Sequence, residues 1–581
     1  MRNPVSNFTY VSSDIGMGRT KMDRNFDLKM TMSAGKLYPF FLDEVLPGDT
    51  FSIDTATFFR MTTPIHPVMD NCYLDTFFFF VPNRIVWDHW KEFMGESPSD
   101  PYINPIEYSV PQLIPFPNDT IDEAQGVVPF KSLLDYITIP AATCPKSINA
   151  LSVRAFCKIW NEWFRDQNLQ HAINLNTGDA NLYYSNTGNA ERGAYYWNNN
   201  EYGDYYIENT ARGGDLPPVN KYHDYFTSAL KEPQKGAPVP IPLSGFAPVY
   251  ATSLVDTDGI ANKTNETQVE IRKANGQSIG TSILGTINSR MAAFGGAGLT
   301  SQNTMLEFNN LGADLSNIAG VYATINDLRH AFQLQKFLEA DNRGGTRYRE
   351  QLKAHFGVTS PDASLQIPEF LGGKRIPINM SQVLQTSATN DVSPQGNTAA
   401  YSLTTDKYSS FTKSFTEHGH IIGVCCVRTM HTYSQGVDKM FMRKSKYDYY
   451  FPEFANISNQ PIYTSELYIP KYPRDLSVNY DEDQIFGYQE AWAEYRYKPN
   501  KLTGEFSPNY PQTLASWHYG DYYTETPYLS SEWIAETREN IDRTLAVQSE
   551  LADQFLANFY FDMSTTRIMP LQSIPGLADH H

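Results

Sequence analysis

The residues of this chain that could do chemistry lie in a few short motifs. Gly276-Gln277-Ser278-Ile279-Gly280 has the GxSxG spacing of a nucleophile elbow, which needs a buried strand before it and a helix after it. The flanks NKTNETQVEIRKAN and TSILGT supply neither, and Asn275-Gly276 reads as a hairpin turn. Glu417-His418-Gly419-His420 would aim two imidazoles from one face of a strand, a workable start for a metal site, but no third or fourth ligand accompanies them. Asp481-Glu482-Asp483 lacks the EF-hand glycine and fits an acidic helix start. Gly295-Gly296-Ala297-Gly298 and Gly372-Gly373-Lys374-Arg375 do not follow the phosphate-loop pattern and read as turns. Cys425-Cys426 stand in an apolar run and read as small buried hydrophobes. No catalytic set and no cofactor or metal site emerges.

Two basic clusters stand out: Arg343, Arg347, Arg349 and Lys353, and then Arg443, Lys444 and Lys446 with Phe441 and Tyr447 beside them. Cations interleaved with aromatics suit single-stranded nucleic acid, through phosphate contact and stacking. The same residues would equally serve in salt bridges to a neighbouring element or subunit. Net charge is −18, whereas a free nucleic-acid binder is normally basic. Any such contact must therefore be local, or delegated to a small basic partner. Five cysteines, two of them adjacent and none in a CxxC, do not suit a disulfide framework and point to a reducing compartment. Neither a signal peptide nor a membrane span is expected.

The elements that would position these residues are mostly strands. The chain has 581 residues, 41% apolar, with 37 Tyr and 34 Phe but only 19% charged. A surface so poor in charge and rich in aromatics suits large protein–protein interfaces. Residues 37–81 read as strands, and in Cys72–Val81 both faces become apolar at Phe77-Phe78-Phe79-Phe80. That strand is expected to be buried on both sides or to lie at a subunit interface, with Phe77 and Phe79 as candidate interface aromatics. A short helix is expected over 84–94, and a longer one over 147–168 on Ile148, Leu151, Ala155, Ile159 and Trp163. Others are expected over 324–341 and 344–357, with Gly344-Gly345 breaking the two. Ile485, Tyr488, Trp492 and Tyr495 recur at helical spacing and predict an apolar helix stripe, with Tyr488, Trp492 and Tyr495 also candidate interface aromatics. Residues 420–433 and 559–569 read as strands. Residues 1–36 read as an N-terminal arm. Residues 171–322, including the Tyr/Asn-rich 181–206, read as insertion material between two core portions, 37–170 and 323–581. Strands with helices inserted irregularly argue against βαβ units and for an antiparallel sandwich, with strands from both ends of the chain, the jelly-roll arrangement.

Several long blocks resemble one family. They include LPGDTF at 46–51, FFFFVPNRIVWDHWKEFMGE at 77–96, IWNEWFRDQNLQ at 159–170 and LQKFLEADNRGGTRYRE at 334–350. HFGVTSPDASLQIPEFLGG at 355–373, FTKSFTEHGHIIG at 411–423, FGYQEAWAEYRYKP at 486–499 and IPGLADHH at 574–581 continue the series. In order and spacing they resemble the capsid proteins of gokushovirus-type microviruses, small phages with single-stranded DNA. The resemblance implies a mainly β fold: a single eight-stranded antiparallel jelly-roll with long inserted loops and several helices. It implies self-association into a T=1 icosahedral shell of sixty copies around a circular genome, in a virion assembled in the bacterial host cytoplasm. It also implies a small basic DNA-binding protein, an internal scaffolding protein, a DNA pilot protein and a host receptor as partners. In this family a variable insertion projects near the three-fold axes, and 246–322 is the segment placed for it. Arg343, Arg347, Arg443, Lys444 and Lys446 become candidates for contact with DNA or the interior. A carbohydrate-binding or metal-dependent, cupin-like protein is the alternative.

Overall fold

The computed structural model describes residues 18–96, 107–115, 127–184, 210 and 212–239, the short strands between 249 and 313, and 325–384, 386, 398–470, 484–547 and 551–572. The expected turn at Asn275-Gly276, the Asp481–Asp483 acids, Gly295–Gly298, most of 181–206 and 246–322, and the last residues lie outside these. The chain divides into two compact units, residues 1–233 with 341–581, and residues 234–340.

The larger unit is built on two antiparallel sheets. One contains β1 (Arg19–Asp23), β2 (Phe26–Met32), β4 (Thr50–Met61), β7 (Thr404–Ser414) and β11 (Phe555–Ile568). Its order is β1-β11-β4-β7, with β2 also on β11. The other runs β6-β5-β8-β3, from β3 (Tyr38–Val45), β5 (Cys72–Pro82), β6 (Glu369–Pro377) and β8 (Gly419–Thr429). β4 alternates half-exposed and buried residues almost without fault, the pattern of a strand with one face on a core. The inner faces meet in phenylalanines: Phe40 lies 4.7 Å from Phe559, and Phe41 lies 5.0 Å from Phe561. Truncating such a buried ring to alanine costs about 3–5 kcal/mol.

The segment read as an N-terminal arm is therefore partly sheet. The alternation in FDLKMTM turns Met30 and Met32 into the core, and β2 pairs with β11 from Phe26↔Phe561 to Met32↔Phe555. The four-phenylalanine run is buried on both faces within the chain itself. Phe78 and Phe80 point at Phe40, Phe411 and Phe415, while Phe77 and Phe79 meet Trp163, Phe164 and Phe370. Trp163 and Phe164 follow α1 (Leu151–Ile159), whose last turn widens into a π-helical turn over Trp160–Phe164. Arg165 then leaves in extended conformation, so the expected helix stops short.

The predicted helix stripe over 485–495 is corrected. Ile485–Glu490 form strand β10, paired with β9 (Asn459–Tyr463). Tyr488 also exchanges two 2.7 Å main-chain bonds with Leu230. Gly487 permits that approach, since a Cβ there would lie 3.0 Å from Ala229 and 3.1 Å from the Leu230 carbonyl. Trp492 adopts φ 64°, and a single 3₁₀ turn follows at Ala493–Tyr495. Apolar residues spaced three and four apart also suit a strand followed by a turn, and the aromatic content favours the strand. β10 belongs to a second core cluster that includes Phe226, Tyr433, Phe486 and Trp533.

α2 (Ile325–Gly344) and α3 (Tyr348–Phe356) occur where the periodicity placed them. On α2, Ala331 is buried, whereas Ile325 and Leu334 are exposed. No helix among the described residues is long and apolar enough to cross a membrane.

Candidate functional site

A half-open cleft of about 630 Å³ in the larger unit gathers four of the residues singled out from sequence: Phe77, Phe79, Arg343 and Arg347. β5 supplies the two phenylalanines. Arg343 ends α2, where Gly345 at φ +93° turns the chain, and Arg347 caps α3. Glu350 secures that cap, accepting from the Arg347 backbone N–H at 3.1 Å and from its guanidinium at 3.2 Å. The Arg347 guanidinium also donates to the carbonyls of Asn161 (3.1 Å) and Arg165 (2.9 Å). It thereby ties α3 to the loop after α1. Arg343 donates to the Ser458 hydroxyl at 2.7 Å. Arg349 stands outside the cleft, its guanidinium 4.1 Å over the Trp163 ring.

Sequence reasoning missed the rest of this wall. Asp75, in the middle of the apolar strand β5, is 2% exposed. It lies directly across from Arg375 on β6, which donates to it at 2.9 Å. Arg428 on β8 donates to its other oxygen at 3.1 Å through Nε, and a terminal nitrogen of Arg428 bonds it as well. The Tyr222 hydroxyl completes the set at 2.7 Å, and its ring lies 4.2 Å from each guanidinium. A lone carboxylate inside an apolar strand was the available signal, because a buried charge must find partners. The partners themselves are scattered over the sequence.

The second basic cluster forms a separate surface. Arg443 is only 9% exposed, because Glu494 accepts from it at 3.1 Å and Tyr495 lies 4.7 Å from its guanidinium. Its charge is spent inside the chain. Lys444 and Lys446 are exposed and form no ion pair among the described residues. Around them Phe441 is 72%, Tyr447 64% and Tyr495 55% exposed. Trp492 is instead 5% exposed, with its indole N–H on the Phe454 carbonyl at 3.0 Å and Tyr450 against its ring. Phe79, at 1%, is likewise core, and Tyr488 is half-buried in β10. Of the proposed interface aromatics, Tyr495 is open to a partner, and packing within the chain occupies Trp492 and Phe79.

The two histidines of the pair have different surroundings. His420 is buried in β8, and burial pushes its pKa down to about 4. His418 precedes the strand and packs on Trp90 at 5.6 Å. Among the described residues no group of three His, Cys, Asp or Glu could hold a metal. A buried charged group occurs elsewhere: His431 lies between Asp521 and Glu536, 3.0 Å from each. Asn540 donates to Asp521 at 2.6 Å, and Lys221 stands 3.9 Å from it. Burial opposes a charge on His431, but the two carboxylates outweigh it and its pKa is raised to about 10.

The two cation-bearing surfaces offer electrostatic and stacking contacts. The capsid protein (F protein) family model matches residues 12–577. Capsid protein VP1 of Bdellovibrio phage phiMH2K is 36% identical over 563 residues, covering 96% of this chain and 95% of the relative. VP1 of Chlamydia phage 1 is 36% identical over 602 residues, 96% of each chain. VP1 of Spiroplasma virus 4 is 38% identical over 556 residues, 94% of this chain and 93% of its own. All three are structural proteins of phages of the microvirus type. The mainly antiparallel β fold is consistent with this, and similarity over nearly the full length shows that the chain belongs to the phage capsid (F) protein family and is a structural protein of the virion, not an enzyme.

Proposed function

We propose that sixty copies of this chain close into a T=1 icosahedral shell around a circular single-stranded DNA genome. The observation that carries this is the end-to-end similarity to capsid proteins across residues 12–577. In this reading the two sheets are the faces of a single eight-stranded jelly-roll, with β1 and β2, which pair with successive stretches of β11, counted as one strand. A closed shell needs a few self-complementary surfaces repeated by symmetry. The exposed aromatics around Tyr495 have the composition such contacts use.

Genome contact falls to local cations. Sixty chains at −18 each carry on the order of a thousand negative charges, so bulk attraction cannot hold the DNA. Lys444 and Lys446, beside Phe441 and Tyr447, combine phosphate contact with ring stacking. A small basic DNA-binding protein supplies the remaining neutralisation. Internal scaffolding and DNA pilot proteins act in assembly in the host cytoplasm, and the 246–322 region meets a host receptor.

Negative-stain electron microscopy with sedimentation tests the central claim. Closed particles of one small diameter are the expected result, with the scaffolding protein added if the chain alone does not assemble. Monomers or small oligomers in the presence of that scaffold would refute it.

A further inference from the structure

Residues 503–517 of the larger unit form a surface loop that closes its own neck. Leu514 donates to the Glu505 carbonyl at 2.9 Å, and Gly504 at φ +67° opens the turn between them. The crown, Asn509 to Thr513, is exposed. Phe506 ties the loop to the body through one histidine. Its carbonyl lies 3.0 Å from Nε2 of His518, and its ring meets the imidazole edge to face at 5.7 Å.

His518 is buried, and both of its ring nitrogens are engaged. The Gly520 backbone N–H donates to Nδ1 at 2.9 Å, so Nδ1 carries no proton. Nε2 therefore holds the hydrogen and donates to Phe506, which makes this ring the neutral tautomer. Gly520 leaves room for the arrangement, since a Cβ there would lie 2.9 Å from Nδ1 and 2.5 Å from Cδ1 of Leu502. A fixed cation stands alongside. Arg543 donates to the carbonyls of Ala515 at 2.9 Å, His518 at 3.2 Å and Gly520 at 2.7 Å. On the other side Asp70 accepts from the Tyr519 N–H at 3.0 Å and from the Asn71 N–H at 2.8 Å. His431, itself flanked by Asp521 and Glu536, acts on Asp70 from behind. Burial first and Arg543 second lower the His518 pKa, against smaller opposing effects of the Phe506 carbonyl and Asp70.

We infer that His518 is an acid-sensitive latch: neutral, it holds the 503–517 loop to the body, and protonated at Nδ1 it sets an N–H against the Gly520 N–H and lets the loop go. The inference is independent of shell formation and of genome contact. In an open loop the imidazole reaches water and titrates near 6.5. Closure is therefore complete above about pH 6.5 and weakens as pH falls below it toward the lower folded value. The second imidazole at the loop does not oppose closure. His66 stacks on Trp517 with centroids 4.8 Å apart, and a charge on it would add a cation–π contact.

The test is backbone hydrogen exchange of the purified full chain between pH 7.5 and 4.5, corrected for intrinsic rates and read on peptides spanning 503–517. Opening of the loop should rise by up to roughly tenfold per pH unit below about 6.5, the slope for uptake of one proton, while β11 keeps its protection. His518→Asn offers an oxygen to the same N–H two residues on, as in an Asx-turn, and cannot titrate in this range. Loop exchange in that variant should be independent of pH. His66→Asn should keep the wild-type transition. Should His518→Asn fail to fold, hydrogen exchange at the histidine C2 position reads the titration of His518 in the wild type, and a midpoint below about 6.5 is expected. Flat loop exchange in the wild type, a His518 midpoint at or above about 6.5, or loss of the transition in His66→Asn would each overturn the inference. A transition that survives in His518→Asn overturns it too and moves the sensor to Asp70.

Discussion

His431 is charged in the interior only because two carboxylates flank it. Its folded pKa, about 10, lies above the unfolded value near 6.5. Its contribution is therefore complete below about pH 6.5 and is lost as pH rises through about 10. Asp521 titrates the other way. Burial raises its pKa, but His431 and Lys221 outweigh that and hold it well below the usual carboxylate range. Its contribution is present above about pH 4 and fades in stronger acid. Replacing His431 by Asn should cost about 3–5 kcal/mol near pH 6, because it leaves two buried carboxylates without their cation. Urea unfolding at pH 6 and at pH 10 checks this: the gap between variant and wild type should shrink at the higher pH. A gap independent of pH would remove the charge argument. Asp75 carries a similar lesson for reading sequences. Its position among Leu74, Thr76 and the phenylalanines announced a buried ion network, while Arg375, Arg428 and Tyr222 could be assigned only once the strands were in register.

At the scale of elements, periodicity predicted well where one neighbour dominates and poorly where several compete. β4 and β11 alternate cleanly because one face meets the other sheet. The 485–495 segment carried an apparent helical stripe, but Leu230 and Pro461 both pair with Tyr488, and tertiary hydrogen bonds outweigh helix propensity. Glu494, just after that strand, neutralises Arg443. The break between α2 and α3 was legible as Gly344-Gly345, and its physical reason is the positive φ at Gly345. A side chain there would be strained and would also collide with the Glu350 carboxylate that caps α3. Gly345→Ala should therefore cost about 1–3 kcal/mol. A lowered unfolding midpoint with unaltered far-ultraviolet dichroism is the expected signature, and an unchanged midpoint would contradict the cap as described.

For the whole molecule, composition already spoke of association more than catalysis: few charges, many tyrosines and an acidic total. Symmetry and partners are not written in any one chain, because shell geometry depends on angles between copies. If 246–322 carries receptor contact, deleting its tip should leave particle yield unchanged and abolish adsorption to the host. Normal adsorption by such particles would reassign the role. The placement of β11 has a consequence for biosynthesis. This last long strand lies between the N-terminal strands and β4, pairing Met22 with Thr565 on one side and Phe51 with Thr565 on the other. While translation proceeds, β1, β2 and β4 therefore have no central partner, and their unpaired edges stay open to wrong pairing until β11 is made. Such a nascent chain has reason to need chaperone protection. A copy that stops short of β11 lacks the centre of its own sheet, so the synthesis of that strand decides whether the sheet can close at all.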